Sequence, residues 1–184
     1  MTDFRNTAKR TLIPLIGAGA LALGLSGGAA ASNSAHGQRL SSKEGTIVAK
    51  GRNEKNLRYS STTVDSGSTL RILNHTAAPH SFSLIIPKLV PSSKGQTQRC
   101  FTQGHICKKI AKWHKFDGQT IHKNPVDVGP KGWSTEGSIH RKGDSVFYGP
   151  GQSPSKFRVS APEGTVLHFI CAIHPWMHGT LVVE

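Results

Sequence analysis

Cys171, His174 and Met177 stand three and three residues apart in the run Cys171-Ala172-Ile173-His174-Pro175-Trp176-Met177-His178-Gly179, between two apolar stretches. A thiol, an imidazole and a thioether at that spacing point to soft-metal chemistry. Thiolate and imidazole alone suit several ions, but the thioether adds the weak axial sulfur that accompanies trigonal His₂Cys copper. The chain holds only three Cys and two Met, so one of each flanking His174 outweighs the ordinary roles of a core Cys and a gap-filling Met. The plane still needs a second imidazole, and His80 is the candidate. Pro79 restricts the backbone just before it, and the alternation Phe82, Leu84, Ile86 predicts a half-buried strand to anchor it. His75 lies in more turn-like sequence. His178 adjoins Met177 and competes as a ligand on position alone, although a solvated residue entering the last strand is the preferred reading.

A Pro-His pair opening a strand, followed far downstream by Cys-x2-His-Pro-x-Met-x-Gly, resembles the plastocyanin/azurin-type cupredoxins, and the short ligand loop is most similar to amicyanin. The resemblance covers residues 45–87 and 143–184. It implies that His80, Cys171, His174 and Met177 bind one type 1 copper and pass one electron between Cu(I) and Cu(II). Ser81 departs from the pattern, because many members carry Asn after the first His to tie the two ligand loops together; a Ser hydroxyl can do part of that.

The elements that must position these residues read as short strands at Thr46–Lys50, Leu57–Val64, Thr69–Leu73, Ser81–Ile86, Ser145–Tyr148, Phe157–Ser160, Val166–Cys171 and Thr180–Val183, separated by Gly, Pro, Asn and Ser. The expected fold is all-β, an antiparallel Greek-key β-sandwich of the cupredoxin-like kind. Alternation puts Leu167, Phe169 and Cys171 on the inward face and His168 on the other, which argues against His168 as a ligand. Ninety residues separate His80 from Cys171. Most of the excess is an insertion at 88–142, within which Ile106, Ile110 and Trp113 recur at helical spacing and predict a short helix over His105–Lys115 with its lysines outward. Trp133 is the expected anchor of the loop that follows.

Residues 1–31 combine a basic start, an apolar stretch from Leu12 to Leu25 and a small-residue site at Ala29-Ala30-Ala31, the pattern of a signal peptide too short for a membrane span. A flexible segment, 32–44, then leads into a cupredoxin-like domain at 45–184; His36 plays no part. Export to the periplasm or beyond agrees with the cysteines, since Cys171 is claimed by the metal and Cys100 and Cys107 are left as a disulfide pair. A second metal site at Cys100, His105, Cys107 and His114 is the alternative.

The chain carries 23 Lys and Arg against 10 Asp and Glu; removing residues 1–31 takes three bases and one acid, so +13 becomes +11. That field favours an acidic redox protein or an anionic surface as partner, with Pro175 and Trp176 as the docking point, and no binding motif supports nucleic acid. With no acid/base pair and no second His cluster, catalysis is not expected. Electron transfer leads; an extracytoplasmic copper carrier or buffer using the same residues is the alternative, and a metal-free scaffold adhering to anionic polymers is a distant third.

Overall fold

The computed structural model describes residues 43–184 apart from 129, 130 and 155. The expected signal peptide and His36 lie outside the described residues. No described helix is long and apolar enough to cross a membrane.

Two sheets face each other. In the first, β2 (Arg58–Tyr59), β1 (Gly45–Lys50), β4 (Thr69–Asn74) and β7 (Phe157–Arg158) lie side by side in that order. In the second the order is β3 (Thr62–Val64), β9 (His178–Val183), β8 (Val166–Ile170), β5 (His80–Leu84), β6 (Ser145–Tyr148). The all-β sandwich is the expected one, with two differences of detail. The pairs β1–β4 and β3–β9 run parallel, while the remaining pairs are antiparallel. The single strand expected over Leu57–Val64 is two short ones that join different sheets. The chain crosses at Ser60, whose N–H donates to the Val48 carbonyl at 3.0 Å while its hydroxyl accepts from the Val48 N–H at 2.9 Å.

Alternating apolar side chains from both sheets fill the space between them, including Ile47, Leu70, Phe82, Leu84, Phe169 and Leu181. Trp133 joins this core fully buried, its ring edge-on to Phe82 and to Phe157, which is the anchoring role expected of it.

The insertion forms two helices, α1 (Lys94–Arg99) and α2 (Ile106–Trp113). Only α2 is announced by apolar periodicity. Helix α1 has no buried residue, and its start rests on the Ser93 side chain accepting from the Gln96 N–H at 3.2 Å. Ile106, Cys107, Ile110 and Trp113 of α2 pack on Ile85, Ile170 and Ala172, the outward face of the second sheet. Burial therefore does not alternate along β5: all five residues are enclosed, Phe82 and Leu84 by the sandwich and Ser81 and Ser83 by the insertion. The seam between insertion and sheet is tight. Gly137 donates to the Leu84 carbonyl at 2.9 Å, and a Cβ at 137 would lie 2.3 Å from the Trp113 ring.

Candidate metal centre

His80 opens β5 in phase with Phe82 and Leu84, which directs its ring inward. Cys171 directly follows β8, in phase with Leu167 and Phe169. His174 and Met177 follow in the turn to β9, which is closed by Met177 N–H donating to the His174 carbonyl and Cys171 N–H donating to the Met177 carbonyl, both at 2.8 Å. Sequence separation of 91 residues thus collapses to one point: Cys171 Sγ lies 3.7 Å from His80 Nδ1 and 3.7 Å from His174 Nδ1, and the two nitrogens are 3.2 Å apart. Ligand atoms of these residues all lie within 4.8 Å of one another, and all three residues are buried. Met177 is buried in the same apolar cluster as Cys171.

The protonation pattern of His80 follows from its neighbours. The Asn74 amide nitrogen donates to the carbonyls of Ala78 (2.9 Å) and Gly149 (2.8 Å), which turns its Oδ1 toward Thr76. That oxygen accepts from the Thr76 hydroxyl at 2.8 Å, so the Thr76 oxygen is left to accept the Nε2–H of His80, also at 2.8 Å. Nδ1 is then the unprotonated nitrogen, and its lone pair faces Cys171. Such outer partners orient metal-binding imidazoles and commonly affect affinity about 10–100-fold. Thr76→Val accordingly weakens copper binding within that range while the apo fold persists, a result read by competitive titration against a chelator. Nothing in the ligand spacing pointed to Asn74 or Thr76; the only signal was two polar residues just before a Pro-His strand start.

Ser81 makes the tie that the Asn of the resembling family would make. Its hydroxyl accepts from the Ala172 N–H at 2.7 Å, and its own backbone N–H donates to Cys171 Sγ at 3.3 Å. Burial pushes the Cys171 thiol up, against N–H donation from Ser81, His174 and Ile173. His80 is held down to about 4 by burial and by His174. Burial disfavours a proton on either imidazole, opposed at His174 by the Glu54 charge, and the two rings converge with a buried sulfur, a donor set that suits a soft cation.

The cluster fits one type 1 copper. The sandwich that frames it is the all-β fold expected, and the three clustered residues, His80, Cys171 and His174, are among those singled out in the sequence. No family profile matches the chain, and no curated protein matches it. Solved structures do, at low identity. A purple cupredoxin from Nitrosopumilus maritimus is 15% identical with a TM-score of 0.41, covering 76% of this chain and 98% of that one. Auracyanin A, a blue copper protein from Chloroflexus aurantiacus, is 17% identical with a TM-score of 0.42, covering 77% and 98%. A laccase from Pediococcus acidilactici is 12% identical with a TM-score of 0.35, covering 79% of this chain and 27% of its own.

Among the described residues, no other histidine joins this cluster. His168 faces away, its Nδ1 3.0 Å from Glu136 Oε1; His75 and His178 are exposed. Cys100 and Cys107 form a disulfide, which removes both thiolates from the alternative second metal site, and His114 is buried against Lys123 and Ser145. One expectation needs correcting. Pro175, expected at a docking point, is buried, whereas Trp176 is 40% exposed and edge-on to His174 with ring centroids 5.3 Å apart.

Proposed function

We propose that this protein is exported and transfers single electrons through copper that His80, Cys171, His174 and Met177 would hold. The observation that carries the reading is the closed trio of Sγ and two Nδ1 atoms, in which His80 and Cys171 are fully buried while His174 lies under an exposed indole. Bound copper supplies a one-electron couple between Cu(I) and Cu(II). The protein's part is to hold the donors in place in both states and exclude water. The sulfur is fully enclosed, so no substrate reaches it, which favours electron transfer over catalysis. Reversible voltammetry of the loaded protein tests this against copper carriage: repeated cycling without loss of metal supports it, and release of copper on reduction to an acceptor apoprotein sinks it.

Trp176, lying over His174, is the natural point of electron entry. Trp176→Ala leaves the visible spectrum intact and slows exchange with a protein partner on the order of tenfold, the scale of losing one central aromatic contact. Stopped-flow mixing measures it, and an unchanged rate removes Trp176 from the path.

The partner suited to this surface is acidic. Residues 88–142 contain 11 Lys and Arg and three Asp and Glu, a net +8 out of the +10 carried by 43–184 (19 bases, nine acids). Among the described residues, none of those lysines is in a salt bridge. A groove of about 490 Å³ runs between the insertion and the copper loops, lined by Phe101, Phe116, Ile121, Phe147, Pro79 and Ile173. Lys108 and Lys112 stand exposed on α2 next to the groove residues Cys107 and Ala111. An acidic redox protein with an apolar contact residue fits such a border, and its association rate falls with salt.

A further inference from the structure

The second sheet opens beside the copper site, and a side chain from the first sheet fills the opening. Along β5 the even-numbered residues bond toward β6, as the Leu84 N–H does to the Asp144 carbonyl at 2.8 Å. The odd-numbered ones bond toward β8, as the Ile85 N–H does to the His168 carbonyl at 2.9 Å. Ser83 is the register partner of Ile170, so the next rung would join Ser81 to Ala172. That rung is replaced. The Ala172 N–H goes to the Ser81 hydroxyl at 2.7 Å, and the Ser81 N–H goes to Cys171 Sγ at 3.3 Å. The Ser81 carbonyl accepts instead from the hydroxyl of Tyr59, at 2.5 Å, and Tyr59 lies on β2 in the opposite sheet.

We propose that Tyr59 is a positioning residue for the Ser81 N–H that faces the copper thiolate: by holding the Ser81 carbonyl, it keeps the backbone of that residue turned to the sulfur and out of pairing with Ala172. The inference rests on the copper reading above. A carbonyl can only accept, so the single Tyr59 proton is spent on Ser81. Tyr148, whose hydroxyl oxygen lies 2.6 Å from that of Tyr59, then donates to Tyr59 in turn. Both tyrosines are buried. The Tyr59 ring stands edge-on to Phe82 and to Phe169, and this packing fixes where its hydroxyl sits.

Without that hydroxyl the Ser81 carbonyl is a buried acceptor whose donor has gone, and leaving it unpaired is costly. The donor next in register is the Ala172 N–H. Closing the rung turns the Ser81 backbone toward Ala172 and draws its N–H off the sulfur. A thiolate that loses a hydrogen-bond donor is richer in electron density. Its charge-transfer band moves to longer wavelength, and the oxidised state is favoured. Tyr59 thus lets the first sheet adjust a centre whose donors lie in the second sheet and its loops.

The test compares the wild-type protein with Tyr59→Phe, which keeps the ring and its packing, and with Tyr148→Phe, which leaves the bond from Tyr59 to Ser81 in place. Band position and midpoint potential are read on the copper-loaded proteins, and the separation of Ser81 N from Cys171 Sγ on crystals of the copper-free ones. Expected in Tyr59→Phe are a band at longer wavelength, a lowered potential and a separation longer than the 3.3 Å of the intact protein. Tyr148→Phe moves all three less. A Tyr59→Phe protein that loses stability while band and potential stay put overturns the inference and leaves Tyr59 a packing residue. So does a moved band with an unmoved separation, which assigns the effect to the phenol itself, or a shift in Tyr148→Phe as large as in Tyr59→Phe, which assigns it to the polarity of the pocket. A wild-type protein with no charge-transfer band rejects the copper reading instead, and the separation in the copper-free crystals then judges Tyr59 by itself.

Discussion

Cys171→Ser abolishes the intense visible band that the loaded protein shows at one copper per chain. The band requires a thiolate on the metal, and serine offers neither a soft donor nor an anion at neutral pH. Affinity falls as well, because the remaining donors are neutral imidazoles and a thioether. Absorbance and metal content measured together check both points on matched preparations. The serine substitution is nearly isosteric in a fully buried position, so the variant keeps its fold and the loss reports the site. A band that survives in Cys171→Ser means that another group colours the protein and rejects the site described here.

Acid weakens the copper-free fold through His114. Burial holds this imidazole down to about 4, and the Lys123 charge adds to the effect, while the hydrogen bond to the Lys123 carbonyl opposes it. Its other neighbours are the Ser145 hydroxyl and the Phe147 ring, neither charged in this range. The sign follows from which state binds more protons. As pH falls below the usual histidine value of about 6.5, the unfolded chain protonates and the folded one does not, so stability drops through that window and levels off near 4. A depression of that size corresponds to about 3 kcal/mol. His80 is lowered over the same range, so the useful quantity is a difference between proteins. Urea denaturation of the copper-free protein at pH 7 and pH 4.5 shows the fall in wild type and a fall smaller by about 2 kcal/mol in His114→Gln. Equal falls in both place the His114 pKa near its ordinary value.

The two findings differ in how much of them the chain showed in advance. Cys171, His174 and Met177 were legible because a metal-binding turn must supply its donors at short spacing, and that constraint is written in consecutive residues. His80 was legible for a related reason, since a strand's two-residue period put it in phase with Phe82 and Leu84. The same period misled about Ser81 and Ser83. Alternation assigns them to an outer face, and a polar outer residue reads as solvated, yet the insertion seals them. Likewise Ile170, on the same face of β8 as His168, is fully buried under α2.

Thr76 and Asn74 were not legible as parts of the site. Their roles are hydrogen bonds to residues in other elements, and a hydroxyl's partner depends on positions within a few tenths of an ångström that no local pattern encodes. The break between β2 and β3 was hidden for a similar reason: strand propensity runs through Ser60, and only the existence of a second sheet makes the crossing there useful.

By itself, then, the sequence determined the class of chemistry, the donor residues, the two-sheet plan, the disulfide partners and the amphipathic face of α2, because each depends on residue type and on spacing along one element. The tertiary structure alone decided which face of the second sheet the insertion covers, how the two ligand loops are tied through Ser81, which nitrogen of His80 is free, and that Trp176 rather than Pro175 is exposed beside His174. Those are properties of side chains from distant segments brought within hydrogen-bond or van der Waals reach, and they exist only once the chain has closed on itself.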